Sequence, residues 1–219
     1  MKNITEKNRA NKYKYIYIYI GVACLIFSAI YLPIILSGKA YIYYDTGADT
    51  YCNYWPAISY VKNLLKDFKI WDMGVGLGAS NITYICCFLL DPFNWVCFLF
   101  DTQNMDIGLF ISLIFKNIAI AYLAYRYFQI KGLNGYPRII AAITVTFSGW
   151  VVGWGQHYEF ATIYVYFLAI IFFFEKWMRD NKFIGVVIST MLLAFISPYF
   201  CYMVLLFMIF YYFISLYYK

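Results

Sequence analysis

Apolar and polar positions alternate along this chain on the scale of whole membrane crossings. Residues 1–14 are polar, with Lys2, Lys7, Arg9, Lys12 and Lys14 set against Glu6, and then comes YIYIYIGVACLIFSAIYLPIILS. That run approaches the ~20 residues that carry a helix across a bilayer. It is too long for a signal-peptide core and ends in no small-residue cleavage pattern. Its opening YIYIYI has the period of a strand, but the unbroken length and the lack of turn residues predict a helix over residues 15–36, with Pro33 near its end.

One long segment, residues 38–80, interrupts the apolar pattern. Within it PAISYVKNLLKDF, residues 56–68, sets Ile58, Val61, Leu64, Leu65 and Phe68 on one stripe with Lys62, Lys66 and Asp67 opposite. This spacing predicts an amphipathic helix, one suited to lying in the plane of the membrane interface. Trp71, Gly74, Gly76 and Gly78 follow. The glycines lack the Gly-Lys-Ser/Thr ending of a phosphate-cradling loop. Residues 82–100 are apolar but split by Asp91-Pro92, and residues 107–128 form a clean helix with Lys116 and Asn117 at its middle. Further apolar stretches cover residues 139–154, 160–174, 183–196 and 200–218.

Basic residues orient these segments. Short loops rich in Lys and Arg face the cytoplasm, which puts the N-terminus, Arg126, Lys131, Arg138, Lys176, Arg179 and Lys182 inside and segment 38–80 outside. An odd number of crossings must then separate that segment from Lys131. One crossing is the cheaper solution: residues 82–100 dip in and return, covered by protein because irregular backbone is not tolerated against lipid. Two full spans with Lys131 and Arg138 outside is the alternative. The predicted fold is all-α, a polytopic transmembrane helical bundle of six to seven hydrophobic segments. Residues 1–14 form a cytoplasmic basic stretch and residues 15–219 the membrane domain.

Composition agrees. Of 219 residues, 64% are hydrophobic and 13% charged, with a mean hydropathy of +0.66, far from the make-up of soluble domains. The net charge of +6 sits at segment ends, so its partner is the lipid bilayer and not nucleic acid. Six cysteines show neither a disulfide framework nor a zinc spacing.

Polar groups gather on the outer side: Asp45, Asp49 and Asn53, then Asp91, then His157 and Glu159. A carboxylate at the membrane boundary can act as general base toward a hydroxyl or hold a divalent cation through oxygen ligands. Asp45 and Asp49 are the leading candidates. Their plainer role is as solvated loop acids or a helix N-cap before TYCNYW. His157, whose spacing to Glu159 fits no zinc motif, has a plainer role as a hydrogen-bonded residue of an aromatic turn. Lys116, an ammonium at mid-span, needs a partner. Either pairing with Asp91 or meeting the phosphate of a lipid carrier satisfies it.

ADTYCNYWPAISY, WDMGVGLGASN, LLDPFNWVCFLF, FSGWVVGWGQHYEFAT and SPYFCYM, in this order and spacing, resemble the N-terminal portion of the bacterial YfhO family of multispanning membrane proteins. The resemblance covers roughly residue 30 to the end. Such proteins look like C-type glycosyltransferases, which use polyprenyl-phosphate-linked sugars at the outer face of the plasma membrane and modify cell-envelope polymers such as lipoteichoic acid. It implies that Asp49 is the catalytic carboxylate with Asp45 as partner, and that Asn53 stands where the family often has Gln; Lys116, His157 and Asp91 are candidate substrate-binding residues by their own positions. Asp91 departs from an implied small residue, and Thr162 from an implied acid. Since family members are several times longer, the resemblance also implies an N-terminal fragment. The rival functions are a transporter or flippase for lipid-linked sugars and a non-catalytic membrane scaffold.

Overall fold

The computed structural model describes residues 2–38, 49–155 and 157–217, with side chains described from Tyr13 onward. Among these residues the fold is all-α but for one two-residue strand pair. Nine α-helices occur: α1 (Lys2–Leu36), α2 (Trp55–Leu64), α3 (Asn81–Leu89), α4 (Met105–Ile130), α5 (Tyr136–Thr146), α6 (Gly149–Gly153), α7 (Tyr158–Asp180), α8 (Ile184–Ile196) and α9 (Pro198–Tyr217). Among the described residues, four stretches are long and apolar enough to cross a membrane: Tyr13–Leu36, Thr102–Ile130, Tyr158–Asp180 and Pro198–Tyr217. A fifth is reached if α3 and the tight helical limb Pro92–Leu99 make one span. This is the architecture of a multi-pass membrane protein.

Of the expected six to seven segments, four or five are helices of spanning length; residues 139–154 and 183–196 are a broken helix and a short one. Residues 139–154 do not form one helix; the chain breaks at Phe147-Ser148, where Ser148 is extended. Before the break, the hydroxyls of Thr144 and Thr146 donate to the carbonyls of Ile140 and Ala142, a back-bonding that bends helices. Ser148 and Gly149 then start a new turn. With 13 residues, α8 is about 20 Å long, short of a ~30 Å hydrocarbon core.

The predicted break at Asp91-Pro92 is present as a bend of 97° between α3 and the following limb. Proline bars the preceding residue from helical geometry, and Asp91 is extended. Its Oδ1 accepts from the Phe93 amide at 3.0 Å. The carbonyls freed at the end of α3 are taken up by the second limb: Asn94 donates to Phe88 O at 3.3 Å and Trp95 Nε1 to Leu89 O at 2.8 Å. Thus a sharp turn of backbone keeps its polar groups satisfied within an apolar segment.

The amphipathic helix is also present, but its stripe is covered by protein. Ile58, Val61 and Leu64 are buried, and Ile58 packs with Met105, Leu109, Leu113, Tyr31 and Tyr158. Leu65 and Phe68 fall beyond the helix and are exposed. Lying across one end of the bundle, α2 is pinned where Trp55 Nε1 donates to Thr102 O at 2.9 Å and Lys62 Nζ to Phe100 O. This end, where α4 begins and α1 finishes, is called the loop end below.

At the opposite, basic end, Lys131 and Glu175 pair at 3.0 Å, and Tyr211, hydrogen-bonded to Glu175, lies 3.1 Å from the Tyr127 hydroxyl. Between the two ends runs an apolar layer of Ile120, Leu123, Val165, Leu168, Ala169 and Phe172.

Candidate functional site

Asp49 opens one wide helical turn, Thr50–Tyr54, that leads into α2. It makes no N-cap bond there. Instead its Oδ2 stands 3.1 Å from Nδ1 of His157, with the carboxylate side chain 45% exposed and the imidazole 14%. His157 immediately precedes α7, stacked on Phe160 with centroids 4.8 Å apart and flanked by Trp154 and Tyr54. Aromatic neighbours on three sides hold the ring in one orientation. An Nδ1–H donated to a carboxylate leaves Nε2 as the imidazole's remaining polar atom.

Below this pair lies a second, fully buried one. Lys116 Nζ is 3.4 Å from Asp91 Oδ2, with side-chain exposures of 0% and 2%. The ammonium also donates to Tyr158 O at 3.1 Å and Asn94 Oδ1 at 3.3 Å. Asp91 Oδ2 accepts from Thr162 Oγ1 at 2.7 Å. Every member therefore has partners, the condition under which an ion pair survives burial. Of the two roles open to Lys116, the geometry gives it the first, pairing with Asp91. Lys116 lies 11 residues into α4, about 16 Å along its axis. Through its bond to the carbonyl of Tyr158, the first residue of α7, the buried pair ties the start of α7 to α4.

Tyr54 and Glu159 connect the two levels. Both line, with Asp91, Asn94, Lys116 and Ile58, a cavity of about 10 Å³, room for one water. Burial, reinforced by the nearby carboxylates of Glu159 and Asp49, pushes the Tyr54 phenol well up from its ordinary range. It remains a neutral hydroxyl between acids.

The structure thus brings together Asp49 with His157, and Asp91 with Lys116. Asn53 is exposed on the turn that follows Asp49. Asp45 lies outside the described residues. Among the described residues, no group of three or more His, Cys, Asp or Glu side chains could hold a metal ion. Tyr54, Asn94 and the Tyr158 carbonyl were not singled out by sequence. Asn94 carried a usable signal, a polar residue three positions beyond Asp91 in an apolar run, whereas Tyr54 is one tyrosine among 25.

Compared with known proteins, the chain matches no family model, no curated protein and no solved structure.

Proposed function

We propose that this protein is part or all of a membrane glycosyltransferase that moves a sugar from a polyprenyl-phosphate donor to a hydroxyl of a cell-envelope polymer. The loop end is the outer face of a bacterial plasma membrane, the N-terminus is cytoplasmic, and residues 81–99 re-enter from outside. The observation that carries the reading is the Asp49–His157 pair at 3.1 Å, its carboxylate 45% exposed beside a buried ion pair. Asp49 takes the proton of the acceptor hydroxyl as its oxygen attacks the anomeric carbon. The bond from that carbon to the phosphate oxygen breaks, and polyprenyl phosphate leaves with the electron pair. Direct attack inverts the anomeric centre. His157, with Nδ1 against the carboxylate, orients Asp49. Lys116, spent on Asp91, holds the floor rigid and does not reach for the donor.

Positions 91 and 162, where the chain departs from the residues that the resemblance implies, touch: Thr162 Oγ1 donates to Asp91 Oδ2 at 2.7 Å.

A carrier would need a polar path between the faces. The seam between α4 and α7, from Ile120 to Phe172, is apolar between the two polar ends, which favours the enzyme over the transporter reading. The test is sugar transfer by membranes carrying wild-type or Asp49→Asn protein, from radiolabelled polyprenyl-phosphate sugar to envelope polymer. Loss of about 10²- to 10⁴-fold is expected, the usual share of a general base. Near-normal transfer at equal protein level overturns the reading.

A further inference from the structure

A rigid apolar hairpin at the loop end is left unused by this site. Trp71-Asp72 pairs antiparallel with Ala79-Ser80. The buried Asn81 ties the base of the hairpin, its amide donating to Ile70 O at 2.9 Å and its side chain to Lys69 O at 2.8 Å. The Tyr60 hydroxyl lies 2.8 Å from both Asp72 Oδ2 and Asn81 Oδ1, which fastens the hairpin to α2. Gly78, at φ +109°, packs so closely on Met73 and Trp71 that a Cβ would stand 3.0 Å from each. Held this way, the loop cannot fold its apolar groups inward. Phe68, Ile70 and Trp71 are exposed, Met73 is 70% exposed and Leu77 at the tip 99%.

We infer that residues 68–80 are an interfacial anchor embedded in the leaflet at the loop end. A fixed apolar cluster of this kind marks an interaction surface, and three observations select lipid as its occupant. The hairpin runs directly into α3, the first limb of the bent pair that passes the span test, so it stands at the membrane boundary. Trp71 is of the residue type enriched at that boundary. Lys66 stands beside the apolar cluster and, with Lys69 paired to Asp67 at 3.0 Å, is the cation that meets headgroup phosphates. The amphipathic helix expected to lie in the interface has its stripe covered by the bundle; the hairpin beside it takes that place. Embedding to about 5–10 Å, typical of interfacial segments, fixes the height of α2 and of the Asp49 turn above the bilayer. The inference stands independently of the chemistry proposed above.

The test uses the full chain with Cys24→Ser and Cys52→Ser, carrying an environment-sensitive fluorophore on Leu77→Cys or, separately, Met73→Cys. Leu77 is almost fully exposed, so its replacement leaves packing intact. The protein is reconstituted in phosphatidylcholine–phosphatidylglycerol vesicles, plain or brominated near the top of one acyl chain. Both labels are expected to emit in the blue, to be quenched by the brominated lipid and to be shielded from aqueous iodide. Iodide quenching without bromolipid quenching overturns the inference. So does a lipid-independent signal that grows with protein-to-lipid ratio, which would assign the surface to a second copy, or shielding that appears only on adding envelope polymer.

Discussion

Breaking the Asp91–Lys116 pair tests whether this buried ion pair holds the floor of the site. Exposures of 0% and 2% keep the pair out of bulk solvent. Lys116→Met deletes the ammonium and leaves the Asp91 carboxylate with only Thr162 and the Phe93 amide. Asp91→Asn leaves the ammonium facing Asn94 and the Tyr158 carbonyl. Removing one partner of a buried pair costs about 3–5 kcal/mol, comparable to the ~2.5–3.5 kcal/mol for an unpaired charge at mid-helix. Each single change should lower Tm by on the order of 10 °C for a chain of this size. Removing both charges restores neutrality, so the double variant should recover to within about 1–2 kcal/mol of wild type, a coupling of several kcal/mol. The assay is thermal unfolding in nanodiscs, read by tryptophan fluorescence across the four-protein cycle. Single variants within about 1 kcal/mol of wild type, or a double variant equal to the sum of the singles, refute the argument.

Three further outcomes follow from other parts of the molecule. The Gly74 amide, and after it the Tyr60 hydroxyl, hold the Asp72 carboxyl below the usual carboxylate range. A lowered folded-state value means that the stabilisation is complete above the unfolded pKa and disappears as pH falls through the lowered one; a spin label on Leu77→Cys should become mobile over that acid window, and should be mobile at every pH when Asp72 is replaced by Ala. A label equally immobile in both proteins would show that Asp72 does not order the hairpin. Gly108 meets the bent pair so closely that a Cβ would lie 2.9 Å from Cys97 Cα, whereas Gly149 has nothing within 4 Å. Gly108→Ala should cost about 1–3 kcal/mol in the same unfolding assay, and Gly149→Ala should leave Tm nearly unchanged. Tyr211→Phe removes the hydroxyl that links Glu175 and Tyr127; a loss near 1 kcal/mol is expected, and no loss would show that the basic end is held by packing alone.

The sequence exposed what depends on local pattern. The spans at residues 15–36, 107–128 and 160–174 lie inside α1, α4 and α7, because an apolar run of that length has few other solutions. The turn at Asp91-Pro92 was legible since proline removes a donor and restricts its predecessor. A mid-span lysine announced a partner, but the sequence left Asp91 and a carrier phosphate equally open. What stayed hidden depends on long-range geometry. Asp49 and His157 lie 108 positions apart in sequence, and no periodicity brings them together. The helix of residues 56–68 was readable as amphipathic, but its pattern does not say whether lipid or protein covers the stripe. Likewise an unbroken apolar run over residues 139–154 concealed a break, which the threonine back-bonds and Ser148-Gly149 produce.

The central claim is that the Asp49 carboxylate stands at the extracytoplasmic boundary of the membrane, and a native thiol reports on it. Cys52 is exposed on the same helical turn, three residues from Asp49. Treating intact cells with a membrane-impermeant maleimide should label the protein, and Cys52→Ser should abolish the labelling. Labelling of Cys52 only after the membrane is permeabilised would put Asp49 on the cytoplasmic side, beyond reach of the proposed donor and acceptor.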